Sequence, residues 1–126
     1  MQNLLIPLAE GEFTTPNIHF DLSTYVFEIK GESFLENTDD FYTPVTDWLQ
    51  EFTDTYSDAI IFNFKFAYYN SSSSKSILKI MKILKKYSKK VAIEVNWFYP
   101  TNNDDLLQEG IDYQDMVEMP IKMREF

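Results

Sequence analysis

Ile60-Ile61-Phe62-Asn63-Phe64-Lys65-Phe66 and Val91-Ala92-Ile93-Glu94-Val95-Asn96-Trp97 bracket the stretch that decides the fold. In the first run Phe62, Phe64 and Phe66 alternate with Asn63, Lys65 and Ala67. In the second, Val91, Ile93, Val95 and Trp97 alternate with Ala92, Glu94 and Asn96. A period of two puts the apolar members on one face, so each run reads as a strand with one buried side. Between them Ile77, Ile80, Met81, Leu84 and Tyr87 recur at three- and four-residue spacing, the apolar stripe of an amphipathic helix. Strand, helix, strand in that order predicts two parallel strands joined by a right-handed crossover.

Upstream, Ile18, Phe20 and Leu22 alternate with His19 and Asp21, and Tyr25, Phe27 and Ile29 alternate with Val26, Glu28 and Lys30. With Ser23-Thr24 between them, these runs read as a β-hairpin. Phe41, Val45, Trp48, Leu49 and Phe52 mark a first helix, with Asp39 and Asp40 suited to its first turn. Downstream, a third helix is expected from Asn103-Asp104, carried by Leu107 and Ile111, with Gly110 as a weak point. The tail from Met119 to Phe126 alternates weakly and fits an edge strand. The fold expected is α/β, a mixed four- to five-stranded sheet with helices packed mainly on one face, formed by a single domain spanning residues 1–126.

Composition narrows the function. Apolar residues make up 44% and aromatics 17% of the 126 residues, enough for a real core. A net charge of −9 disfavours nucleic-acid and anionic-membrane partners, which need basic surface. The absence of cysteine removes disulfides, thiolate catalysis and Cys-based zinc sites. The opening Met-Gln-Asn-Leu-Leu-Ile-Pro has no basic leader region, and its apolar run is too short to span a bilayer, so a cytoplasmic location is the expectation.

The stretch Ala67-Tyr68-Tyr69-Asn70-Ser71-Ser72-Ser73-Ser74-Lys75 lies where a strand ends and a helix begins. Small hydroxyl residues there cap orphan amides, and the helix dipole favours negative charge. A phosphate on one of these serines would meet ready donors, with Lys75 as a charge-assisted partner. A plain helix cap explains the same residues. Seven of the 11 basic residues lie between Lys75 and Lys90, a window without Asp or Glu. Lys75, Lys79, Lys82, Lys86 and Lys89 follow helical spacing, which makes a basic stripe that orients a partner or a simple solvated face.

Enzyme readings find little support. His19 is the only histidine, and nothing in the sequence sets a nucleophile beside it. Glycines at 11, 31 and 110 cannot form a phosphate-binding loop, and no cofactor is implied. The cluster Asp104, Asp105, Glu109 and Asp112 offers a candidate Mg²⁺ or Ca²⁺ site without the spacing of a ligand loop. Tyr68, Tyr69, Trp97 and Tyr99 offer a candidate small-ligand pocket. A small ligand- or metal-binding domain is therefore the alternative to a binding switch.

Five motifs occur in order: Thr15-Pro16-x-Ile18, Gly31-Glu32-Ser33-Phe34-Leu35-Glu36-Asn37, Asp47-Trp48, Tyr68 through Lys75, and Trp97-Phe98-Tyr99. In these the chain resembles the family of the biofilm-regulation phosphoprotein SiaC, small bacterial proteins with a fold similar to anti-sigma-factor antagonist (STAS) domains. The resemblance implies a cytoplasmic signalling protein without catalysis, phosphorylated by a dedicated kinase and restored by a phosphatase. Its unphosphorylated form would activate an effector such as a diguanylate cyclase, raising cyclic di-GMP. It also implies that the phosphoacceptor is the hydroxyl residue directly after the Asn, here Ser71, with Ser72 the alternative in this serine-rich run. Phe34-Leu35 departs from the Tyr-Pro usual in the family. The docking surface expected on this basis holds Tyr68, Tyr69, Asn70 and Lys75, with Glu36, Asn37 and Trp97 beside them.

Overall fold

The computed structural model describes all residues from Met1 to Phe126. In chain order the elements are β1 (Leu4–Ile6), β2 (Asn17–Asp21), β3 (Val26–Ser33), α1 (Thr38–Thr55), β4 (Ile61–Tyr69), α2 (Ser71–Ser88), β5 (Glu94–Tyr99), α3 (Asp104–Val117) and β6 (Lys122–Glu125). They build one mixed sheet in the order β1-β2-β3-β4-β5-β6. The first two pairings are antiparallel and the remaining three parallel. From β3 onward each crossover steps to the next strand in the same direction. Right-handed connections then put all three helices on one face.

Six strands replace the four to five expected. The extra one is β1, the opening Leu-Leu-Ile, which pairs with β2 through Leu4↔Phe20, Leu5↔His19 and Ile6↔Ile18. Three residues are too few to display an alternation, so the pairing partner and not the local pattern makes this strand. The tail does form an edge strand, β6.

The alternating residues meet the helices as the periods require. Phe20, Phe27, Phe62 and Phe64 are fully buried under α1 and α2. The Phe27 ring lies edge-on to Phe52 at 5.0 Å and to Trp48 at 5.3 Å. The other face of the sheet is uncovered and polar. There Asn96 donates to Asn63 (2.8 Å), Arg124 donates to Asn96 (2.8 Å), and Lys122 pairs with Glu94 (2.8 Å).

The third helix turns a different face to the core from the one expected. Leu106, Gly110, Tyr113 and Val117 are buried, whereas Leu107 and Ile111 are only half-buried. Trp97 is the reason. Its indole packs against the helix at Gly110, where an added Cβ would collide with Trp97 Cδ1, Cγ and Nε1. Alanine there would gain about 1 kcal/mol of helix propensity, but overpacking a filled core costs roughly 1–3 kcal/mol. The indole has little freedom to yield, because Nε1 donates to the Leu106 carbonyl at 2.9 Å. Gly110→Ala is therefore expected to be net destabilising by up to about 2 kcal/mol, read as a lower urea midpoint at unchanged m-value.

Candidate functional site

The carboxyl ends of β3 and β4 stand side by side, and the chain enters α2 directly from β4. Asn70 is the residue between, in extended conformation, and it is the N-cap of α2. Its Oδ1 accepts from the Ser73 amide (3.2 Å), the Ser73 hydroxyl (2.7 Å) and the Ser72 hydroxyl (3.2 Å). Its Nδ2 donates to the Leu35 carbonyl (2.8 Å) and its backbone amide to the Ser33 carbonyl (3.0 Å). One side chain thus caps the helix and ties it to the segment after β3.

Below the cap runs a buried chain of hydroxyls. Ser73 Oγ lies 2.8 Å from Ser33 Oγ, which lies 2.7 Å from the Tyr42 hydroxyl of α1. Burial raises the pKa of Tyr42 to about 12, and the Ser33 hydrogen bond offsets only part of that. Three segments far apart in sequence are therefore locked together under the start of α2.

The four serines differ in their commitments. Ser73 is fully buried in the hydroxyl chain. The Ser72 hydroxyl donates to Leu35 O (3.2 Å), and the Ser74 hydroxyl donates to Ser71 O (2.7 Å). Ser71, the first residue of the helix, is exposed, and no hydrogen bond within the chain uses its hydroxyl.

Ser71 and Lys75 open onto a groove of ≈ 410 Å³ between α2 and α3, whose far wall holds Glu109, Asp112 and Tyr113. The Tyr69 hydroxyl is held far above its ordinary pKa, first by burial and then by the neighbouring Tyr113 hydroxyl and Glu109 carboxylate. Tyr113 is raised as well, again chiefly by burial. Both phenols remain neutral donors throughout the physiological range.

Most of the residues singled out by sequence gather here. Tyr68 is half exposed (50%), Tyr69 and Asn70 are half-buried, and Lys75, Glu36 and Asn37 are exposed. Asn37 also caps α1, accepting from the Asp40 amide at 3.4 Å. Trp97 is a correction: at 0% exposure it cannot touch a partner. It packs against Phe64, Phe66, Tyr69 and Tyr113 and supports the site from beneath. The same burial removes the four-aromatic pocket, since Trp97 is sealed in the core while Tyr68 stands in solvent. The metal reading is corrected too: no group of three or more acidic or histidine side chains converges to hold an ion, and Asp104 and Asp105 lie exposed in the first turn of α3. His19 lies on β2, two strands from β4, with its side chain 54% exposed.

Phe34 was missed as a surface residue. It is 43% exposed, 6.4 Å from the Tyr68 ring and 6.0 Å from Phe13, so the rim of the site carries an exposed aromatic cluster. Strand parity held the signal. Phe27 and Ile29 face the core, so Ser33 falls on the inner side and Phe34 on the outer.

Residues 9–126 match the SiaC family regulatory phosphoprotein. The chain belongs to the SiaC family. An uncharacterized protein of Pseudomonas aeruginosa (strain UCBPP-PA14) is 22% identical over 125 residues, covering 98% of this chain and 97% of its own length. SiaC of Pseudomonas aeruginosa superimposes with a TM-score of 0.85 at 22% identity, covering 100% of both chains. SiaC from the same organism in complex with the diguanylate cyclase SiaD, of which it is the activator, superimposes with a TM-score of 0.86 at 22% identity, covering 98% of this chain and 99% of that one. These likenesses show a shared fold. Also, no helix of this SiaC-family chain is long and apolar enough to cross a membrane.

Proposed function

We propose that this protein is a non-catalytic, phosphorylation-controlled binding switch that regulates a diguanylate cyclase. A kinase and a phosphatase acting on Ser71 would set its state. The observation that carries the reading is the Ser71 hydroxyl, exposed and unbonded at the first position of α2 while the three serines after it are engaged. Membership of a regulatory phosphoprotein family supports it, as does the cyclase complex formed by SiaC of Pseudomonas aeruginosa.

The chemistry follows from the position. A kinase needs a hydroxyl it can reach without unfolding the cap, and the Ser71 hydroxyl is exposed and free of internal hydrogen bonds. Phosphate there adds about 1.5–2 negative charges near free helix-terminal amides. The Phe34 and Tyr68 rings at the rim offer apolar docking area. A doubly charged group inside such a contact must be desolvated, and Glu109 and Asp112 across the groove oppose it. Stripping water from that doubly charged group against those carboxylates is expected to cost about 2 kcal/mol or more, even with Lys75 nearby, and so to weaken cyclase binding about 30-fold or more.

The test has two steps. Phosphosite mass spectrometry on protein from its native host, with and without phosphatase treatment, should find the phosphate on Ser71. Calorimetry with a purified diguanylate cyclase of that host should then show binding retained in Ser71→Ala and weakened in Ser71→Asp. A chain unmodified in every growth condition, or equal affinities for the two variants, would refute the switch.

A further inference from the structure

α2 is the middle helix of the layer, flanked by α1 and α3. The charges on the three helices sort by element. α1 carries Asp39, Asp40, Asp47, Glu51 and Asp54, and α3 carries Asp104, Asp105, Glu109, Asp112 and Asp115, all exposed; neither holds a basic residue. α2 and its C-cap carry only lysines. Yet every ion pair in the chain lies on the sheet strands, and none involves α2.

Two lysines of this region have an internal task. Lys85 Nζ donates to the Glu118 carbonyl at 2.6 Å and Lys90 Nζ to the Thr53 carbonyl at 2.5 Å. They thereby cap the ends of α3 and α1, whose last turns contain no basic residue. Lys75, Lys79, Lys82, Lys86 and Lys89 are exposed and make no such bond. At about 100° per residue these five fall within an arc of roughly 80°, and Ser71 lies on the same arc one turn before Lys75. At 1.5 Å per residue the row from Lys75 to Lys89 is about 21 Å long.

We propose that Lys75, Lys79, Lys82, Lys86 and Lys89 form a docking row for an acidic segment of a partner protein, one helix wide and about 14 residues long, with Ser71 at its head. Only the last element, control by phosphate on Ser71, rests on the switch reading above. Charge complementarity selects the occupant. Helices pack about 8–10 Å apart, so the acidic rows of α1 and α3 run close on either side of the lysines. A nucleic-acid duplex or an anionic lipid surface is broader than that spacing and would meet both acidic rows. A single acidic helix or extended segment, about 10 Å across, lies on the lysines alone. The row acts mainly by steering and orienting encounter, which makes its contribution sensitive to salt. Phosphate on Ser71 would put negative charge in line with the row, where it attracts Lys75 and repels the segment's end.

The experiment is fluorescence anisotropy of the full chain with a fluorescein-labelled 16-residue helical peptide of alanine and glutamate, its glutamates on one face. The wild type should bind in 50 mM NaCl and lose at least tenfold in affinity at 500 mM. Lys82→Glu/Lys86→Glu, more than two turns from Ser71, should lose at least tenfold at 50 mM, and the milder Lys82→Gln/Lys86→Gln should lose about threefold with unaltered melting. Affinity of the charge-reversed chain within twofold of wild type would overturn the proposal. So would tighter, stripe-dependent binding to a DNA duplex or to phosphatidylserine vesicles, or a stripe-dependent dimer of the chain itself. Ser71→Asp separates the two readings. A stripe effect on the peptide with no Ser71→Asp effect on cyclase binding keeps the docking row and removes the switch, and the converse keeps the switch and removes the row.

Discussion

Trp97→Ala is expected to cost about 3–5 kcal/mol of stability, the value typical for truncating a buried tryptophan. Three losses combine. The indole is fully buried, with ring contacts to Phe64, Phe66, Tyr69 and Tyr113, so its removal leaves a cavity that four aromatic rings cannot all collapse into. Its Nε1 hydrogen bond to Leu106 O disappears in the first turn of α3. Gly110, which lies against the ring, is left beside empty space. A domain of this length has roughly 6–19 kcal/mol in all, so the variant should still fold but with a much lower urea midpoint. Trp97→Phe should recover more than half of the loss, because most of the ring volume returns without the hydrogen bond. The functional consequence is indirect. Tyr69 and Tyr113 both line the groove beside Ser71, and both rings rest on Trp97. Partner affinity in Trp97→Ala should therefore fall along with stability and recover with it in Trp97→Phe. Loss of partner binding at wild-type stability would mean that Trp97 touches the partner, contrary to its burial.

The same tryptophan shows where the sequence was legible and where it was not. In β5 the parity of Val95 and Trp97 already put Trp97 on the buried face. Its place in the Trp97-Phe98-Tyr99 motif points toward a docking surface, and the strand parity is the better guide. The hairpin, β4, β5 and the first two helices were readable because each has enough residues to show its period. β1 was not, because three residues carry no period and only its partner defines it. The core face of α3 was obscured because it contains a glycine and a tyrosine, while Leu107 and Ile111 look more apolar but sit to one side. Asn70 was legible as a cap; that Ser72 and Ser73 turn inward while Ser71 does not depends on the Leu35 and Ser33 carbonyls, which arrive from another strand. A long-range contact of that kind leaves no trace in local spacing.

Alkaline pH should unfold this protein earlier than its core size implies, and the tyrosines set the direction. The Tyr42 pKa is raised from 10.0 to about 12, chiefly by burial. A raised folded-state pKa means that the unfolded chain releases this proton first. Stability from Tyr42 is thus fully present below pH 10 and is lost as pH rises toward 12. At about 1.4 kcal/mol per pH unit the full loss from this residue is roughly 3 kcal/mol. Tyr69, Tyr87 and Tyr113 are raised in the same sense with burial as the leading cause, so their contributions fall in the same direction. Urea midpoints measured from pH 8 to 11.5 should therefore decline steeply above pH 10. Tyr42→Phe isolates the contribution of this one hydroxyl. At pH 8 that variant should be about 1 kcal/mol less stable, since the hydrogen bond to Ser33 is lost while Ser33 keeps Ser73 as its partner. Above pH 10 its decline should be shallower by about one proton, so the two curves converge. Parallel curves would show that Tyr42 does not titrate against folding, and that the hydroxyl chain beneath α2 is open to water.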